Sequence, residues 1–460
     1  MSIFKTIAKQ TAPIYITSLA SMSFGVMDTA MLGHYSPDSL QAMSLATSIY
    51  VTVYISQLGL LEALIPICSQ LFGKKDYDKI SYFVVQGYWF AIFFSIIGAI
   101  ILLHPEIFLW MLSVDLDDQV LKEIKVYLSI NTLSLLASNL FRVQYALCTS
   151  MQKPQMIMYI NLISMVFKGI FNYLFIFGWF FIQPMGSTGA AISSCLVAWI
   201  MFFLGFWVIK NAHFYTQLKF SSFRPCWQAQ KEILKLGLPM GGSYLVEVSS
   251  FTLMALLAAN EGKFVSGAHQ IMANLAAVFY MFPMSLGIAS CSIIAYTIAQ
   301  QNQERINQIV RDSFILAFSV GLFTVVVTTL FKDHIIAAYT NIDETKAIIA
   351  GLLCIMPFFH LSDVLQCMMA NILRAYKIAT TPFVLQTLIL FIFGLGGGWY
   401  FGYYQDSNLL AFINTWATPH VPKGIADLWI MCSIALFICG SMLCIWYFRY
   451  IKKIPLEKFN

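Results

Sequence analysis

Apolar residues run along this chain in long blocks, and polar residues gather in the gaps between them. A bilayer core is spanned by about 20 consecutive apolar residues in helical form. On that measure the blocks predict twelve transmembrane helices, at about 11–33, 43–70, 82–103, 121–147, 156–178, 187–209, 233–259, 266–298, 312–331, 347–374, 379–402 and 425–448. The longest polar connection, Asn211 to Gln230, follows the sixth block and contains Lys219, Arg224 and Pro225. The expected organisation is an N-terminal six-helix lobe over 1–210, a linker over 211–231 and a C-terminal six-helix lobe over 232–460. The halves echo each other. PIYITSLASMSFGVMDTAMLG begins at Pro13 and PMGGSYLVEVSSFTLMALLAA at Pro239, each an apolar span opened by proline and carrying one acid. The same offset of 226 residues takes Ala42 to Ala268, Ile80 to Ile306 and Leu147 to Leu373, which predicts an internal repeat.

Composition sharpens the class. The 460 residues are 59% hydrophobic and 11% charged, with mean hydropathy +0.74. Soluble domains carry about 25% charged residues. The fold class is therefore an all-α integral membrane protein, with the lipid bilayer as its surroundings. The net charge of +5 calls for no nucleic-acid partner, because basic residues collect in loops for topological reasons. Assigning loops to alternate sides puts 18 Lys and Arg on one side and 6 on the other. By the positive-inside rule both termini and the linker are cytoplasmic. The 104–120 loop, with Glu106, Asp115, Asp117 and Asp118 and no Lys or Arg, and the 403–424 loop are expected to face outward. Two halves of like orientation make parallel repeats about an axis along the membrane normal. The first apolar block is too long for the core of a cleavable signal peptide. Nine of the ten cysteines fall inside spans, Cys226 lies in a loop, and there is no CxxC, so they read as small hydrophobic residues.

Ionisable groups within spans cost about 2.5–3.5 kcal/mol each on insertion scales, and packing alone does not require that cost. Leaving aside groups within four residues of a block's end, four acids sit there, Asp28, Glu62, Glu247 and Asp363, with two bases, Arg142 and Lys168. Asp28 is either a functional acid or a helix-end residue that reaches headgroup water. At the helical rise, Asp28, Asn172 and Ser194 share a depth of roughly 7–11 Å below the outer surface. Lys168 is one turn deeper than Asn172 on the same helix face. Glu247 and Asp363 lie nearer mid-membrane in the other half, so each lobe has its own polar cluster. Glu62, a turn before Pro66, is satisfied by nearby backbone or lines a cavity. Arg142 and Arg374, near cytoplasmic helix ends, are expected to snorkel. His269 and Gln270 in GAHQI are further candidate cavity residues, His269 as a hydrogen-bonding group between helices rather than a ligand. The chain lacks GxxxxGK[ST], HExxH and GxSxG. No cofactor is expected. Energy has to come from an ion gradient, H⁺ or Na⁺.

MDTAMLGHYSPDSLQAMSLA, NYLFIFG, LPMGGSYLVEVS, SGAHQIMANL and ILRAYKIATTP resemble segments of the multidrug and toxic compound extrusion (MATE) family, and the resemblance extends over nearly the whole chain. The Glu247 and Asp363 pair is similar to the NorM branch. The resemblance implies two six-helix lobes, alternating access, and export of small organic cations and drugs against H⁺ or Na⁺ across a bacterial inner membrane by a monomer. It implies that Glu247 and Asp363 couple cations in the second lobe, with Phe359 one turn before Asp363 where the family often has Tyr. It matches Asp28, Asn172 and Ser194 to first-lobe cation-site positions, with Ser194 in place of the usual Thr. Lys168 stands where Asn is usual.

A lipid-linked precursor flippase of the same superfamily is the alternative, although such proteins often have fourteen spans and this chain's lobes are not rich in bases. An intramembrane enzyme would need a clustered nucleophile and base, which the sequence does not offer. Lys168 needs a partner or a route to water. Either it extends toward an aqueous cavity or it pairs with Asp28, the nearest acid by depth. In that pair the ammonium would fill the space where the resemblance implies a metal ion.

Overall fold

The computed structural model describes residues 3–106, 118–179, 182–220, 224–404 and 410–459. The expected outward loops at 104–120 and 403–424 thus lie in part outside the described residues, Asp115 and Asp117 among them, as do residues 221–223 of the linker. Twelve long helical segments carry the described chain, without strands. They are α1 (Ile3–Gly33), α2 (Pro37–Glu62, resuming as Leu64–Gly73), α3 (Tyr77–Leu103), α4 (Asp118–Ser150), α5 (Pro154–Asn172) and α6 (Gly186–Asn211). Next come α7 (Trp227–Asn260), α8 (Lys263–Ala299), α9 (Gln303–Leu330), α10 (Asp343–Ala375), α11 (beginning Thr380–Leu385) and α12 (Lys423–Arg449). Ten of the segments are long and apolar enough to cross a membrane. The other two are α1 and α4, and α4 dilutes its apolar run with the buried Asn131, Asn139 and Gln144. Two short helices, Lys332–Tyr339 and Ala411–Ala417, lie after α9 and before α12 respectively.

Helices overrun the apolar blocks that reveal them. The first block starts at about residue 11, yet its helix begins at Ile3, and α9 begins at Gln303 rather than near 312. Helical backbone satisfies itself in water as well as in lipid, so a hydropathy window finds only the hydrocarbon-length part of each helix.

The chain forms two compact units. The N unit comprises residues 9–241; the C unit comprises 1–8 and 242–460. The polar connection at 211–231 belongs with the N unit, because Gln86 on α3 holds it. Gln86 donates to the Arg224 carbonyl at 2.8 Å and accepts from the Cys226 amide at 2.9 Å. Gln230 donates to the Gln86 carbonyl at 2.9 Å.

Within the N unit α4 is the hub, packed on α2, α3 and α6. Within the C unit α10 is the hub, packed on α8 and α12. These hubs correspond under the 226-residue offset. So do two turns: Lys75 has φ 59° and Gln301 has φ 57°. Asp76 then caps α3 by accepting from the Lys79 amide at 3.2 Å, and Asn302 caps α9 by accepting from the Arg305 amide at 2.9 Å. Left-handed backbone costs an L-residue about 1–2 kcal/mol. Its recurrence with different side chains shows that the turn geometry demands it.

One local departure from α geometry adjoins the buried polar residues of the N unit. After Asn172, α5 continues as a π-helical segment, Tyr173–Gly178. The Met185 amide donates to the Phe175 carbonyl at 3.0 Å, tying the start of α6 to that segment. Gly189 makes the approach feasible, since a Cβ there would collide with the Phe175 carbonyl oxygen.

Candidate functional site

In the N unit the structure brings together Asp28 from α1, Lys168 and Asn172 from α5, and Ser194 from α6. Lys168 and Asn172 are one helical turn apart and so share a face. The Lys168 Nζ donates to Asp28 Oδ1 at 2.8 Å and to Ser194 Oγ at 2.6 Å. Asn172 Nδ2 donates to the same Asp28 oxygen at 2.7 Å. Lys168 is 1% exposed and Asp28 6%. Asp28 therefore does not reach headgroup water, and Lys168 does not extend into a cavity. The buried Asn172 Oδ1 has no hydrogen-bond partner. The same two helices also meet where Ser21 Oγ donates to Asn161 Oδ1 at 3.3 Å, seven residues before Asp28 on α1 and before Lys168 on α5. Tyr127 of α4, which shares a hydrogen bond with Thr47 at 3.2 Å, lies within electrostatic reach of Asp28.

A second ion pair sits elsewhere in the N unit. Arg142 on α4 donates to Glu62 at the break of α2. Its guanidinium carbon lies 4.0 Å over the Tyr145 ring. The sequence offered backbone or a cavity for Glu62 and snorkelling for Arg142. Instead each is the other's counter-charge, because a carboxylate held inside a helix packing is costly without a base to pair with it.

In the C unit the acids are Glu247 on α7 and Asp363 on α10. Tyr280 on α8 donates to Glu247 Oε2 at 3.4 Å. The two carboxylates are electrostatic neighbours, and Arg374 lies within electrostatic range of Glu247. Arg374 is buried rather than snorkelling: it donates to the Tyr244 hydroxyl at 3.1 Å and sits 5.0 Å over that ring. Sequence reasoning does not find Tyr280, Tyr244 or Arg374 as site residues. Tyr280, Glu247 and Asp363 come from three helices, and no spacing within one helix could join them.

Phe359, one turn before Asp363, packs edge-on against Trp429 with centroids 5.0 Å apart and meets Phe251 at 6.4 Å. The His269 ring lies 5.8 Å from Trp429, and its Nδ1 is buried without a partner, so at that nitrogen it is not the helix–helix hydrogen-bonder expected. Gln270 is exposed on the surface of its unit and is not brought to the other candidates. Among the described residues no group of three or more His, Cys, Asp or Glu is placed to hold a metal ion. The oxygens near Glu247 and Asp363 are carboxylate and phenol oxygens, which suit a proton or a hard monovalent cation.

The MatE family profile matches residues 13–174 and 239–399, one match in each half at the spacing of the repeat. The chain is 27% identical over 420 residues to the "Probable multidrug resistance protein NorM" of Neisseria meningitidis, covering 91% of both chains. It is 26% identical to the multidrug resistance protein MdtK of Yersinia pseudotuberculosis, covering 96% of this chain and 94% of that one. A crystal structure of a mutant of the Vibrio cholerae MATE transporter VcmN superposes with TM-score 0.86 at 18% identity, covering 99% of each chain. A eukaryotic MATE transporter superposes with TM-score 0.85 at 15% identity over 100% of this chain and 99% of that one. At such identities the superpositions establish the fold, a multi-pass helical membrane protein.

Proposed function

Because the chain belongs to the MatE family, we propose that it is a cation-coupled antiporter exporting small organic cations and drugs by alternating access. The relatives named for multidrug resistance support that substrate class. One observation carries the coupling: in the C unit two carboxylates from different helices, Glu247 and Asp363, sit as electrostatic neighbours, with the Tyr280 hydroxyl on one of them. Two like charges in a water-poor site repel, so the pair favours capture of a compensating cation. A proton or Na⁺ entering from the gradient competes there with a cationic substrate, and release of one accompanies binding of the other. The exchange needs no cofactor. The protein lies in the inner membrane with both termini in the cytoplasm and acts as a monomer.

The test is dye efflux from proteoliposomes under imposed H⁺ or Na⁺ gradients. Glu247→Gln and Asp363→Asn should each abolish gradient-driven efflux while the purified protein remains monodisperse. Normal efflux from either variant would remove that acid from the mechanism. Translocation of a labelled lipid without dye efflux would replace the antiporter reading with a flippase.

A further inference from the structure

We propose that Lys168 is a tethered counter-cation: its ammonium holds the position that a free monovalent cation would take beside Asp28, so the N unit takes up no free cation and exchange is confined to the C unit. The inference rests on the cation-coupled reading and specifies which unit performs the exchange.

The geometry supplies three independent reasons. First, the atoms around the ammonium are oxygens, Asp28 Oδ1 at 2.8 Å and Ser194 Oγ at 2.6 Å, the donor type a hard cation selects. Second, the group is closed: Lys168, Asp28 and Asn172 are buried, so the ammonium cannot trade these oxygens for water without moving a helix. Third, Asn172 holds Asp28 through its nitrogen and leaves its Oδ1 buried without a partner. That oxygen is a spare cation ligand that the tethered ammonium does not reach. One carboxylate charge is matched by one ammonium charge, and a second cation in the same group would be uncompensated. The other buried acid of the N unit among the described residues, Glu62, is matched in the same way by Arg142. In the C unit Glu247 and Asp363 are like charges with Arg374 in range of the first. The electrostatic demand for an outside cation therefore lies in the C unit.

Removing the tether should create a site. Lys168→Asn replaces the ammonium with a neutral amide beside Asp28, Ser194 and Asn172. The measurement is ²²Na⁺ binding to the purified full-length chain carrying Glu247→Gln and Asp363→Asn, which silences the C unit. With Lys168 intact, no saturable binding is expected. Adding Lys168→Asn should produce saturable binding, and adding Asp28→Asn as well should abolish it. If Lys168→Asn does not yield monodisperse protein, Lys168→Ala is heated with and without methylammonium. The small cation should raise its melting temperature, and should not do so in Asp28→Asn/Lys168→Ala. Saturable Na⁺ binding with Lys168 intact that Asp28→Asn removes would overturn the proposal. So would a folded Lys168→Asn chain that gains no Na⁺ binding, or a Lys168→Ala chain indifferent to methylammonium. These readouts need no transport. Normal efflux from the Glu247 and Asp363 variants would remove those acids from the mechanism and overturn the confinement of exchange to the C unit, and it would leave the Na⁺-binding result at Asp28 standing.

Discussion

At the scale of single residues, the buried charges are decisive, because removing one member of a buried ion pair strands the other. Glu62→Gln or Arg142→Met alone should destabilise the protein by about 3–5 kcal/mol, whereas Glu62→Leu with Arg142→Met should cost far less. Thermal unfolding of the purified protein measures the difference. A melting temperature unmoved by Arg142→Met would mean that the arginine works as a snorkelling residue after all. The N-unit cluster is legible in the sequence because two simple rules reach it. Helical spacing puts Lys168 and Asn172 on one face, and depth counting brings Asp28 and Ser194 level with them. The partners of Arg142 and Arg374 are not legible. Both sit near helix ends, where snorkelling is the usual outcome, and their partners lie 80 and 130 residues away in the chain. A single sequence contains no register between helices that distant. The surroundings of His269 are hidden for a related reason: its neighbour Trp429 stands on another helix, and its Nδ1 is buried without a partner.

At the scale of elements, the existence and order of the twelve helices are plain from apolar blocks, while their irregularities are not. A π-helical turn uses the same residue types as an α-helical one and differs only in which carbonyl each amide reaches. The segment Tyr173–Gly178 therefore leaves no trace in the hydrophobic pattern, although it directly succeeds Asn172. Gly189 is its complement. Gly189→Ala would drive a methyl group into the Phe175 carbonyl and should cost roughly 1–3 kcal/mol, as overpacking of a close contact does. Gly169→Ala is the matched control. Its Cβ would meet Met27 Sδ at 3.9 Å, an ordinary contact, and alanine should gain up to about 1 kcal/mol of helix propensity. Melting temperatures for the pair should move in opposite directions. Equal shifts would show that the approach of α6 to the π-helical segment is not tight.

At the scale of the whole molecule, the same architecture is built twice with different chemistry. The hubs α4 and α10 correspond, and so do the left-handed turns at Lys75 and Gln301. Carried across the offset, however, Asp28 falls on Met254 and Glu247 on Ser21, so neither acid has a counterpart in the other half. Repetition of the scaffold is legible because packing repeats apolar positions; the assignment of charges is legible only half by half. The basic bias sets the expected orientation in the membrane. With all native cysteines replaced and one placed at Lys219, an impermeant thiol reagent should label the protein in broken cells and not in intact ones. Labelling in intact cells would invert the topology. The unequal charges also have a hereditary consequence. In the N unit each lost acid leaves a stranded base, so a damaging allele at Asp28 or Glu62 is open to second-site suppression at codon 168 or 142. In the C unit the neighbouring acids share one sign, and the loss of either offers the other nothing to correct. A revertant screen should therefore find paired genotypes at codons 28 and 168 and at 62 and 142, and none that pairs codons 247 and 363.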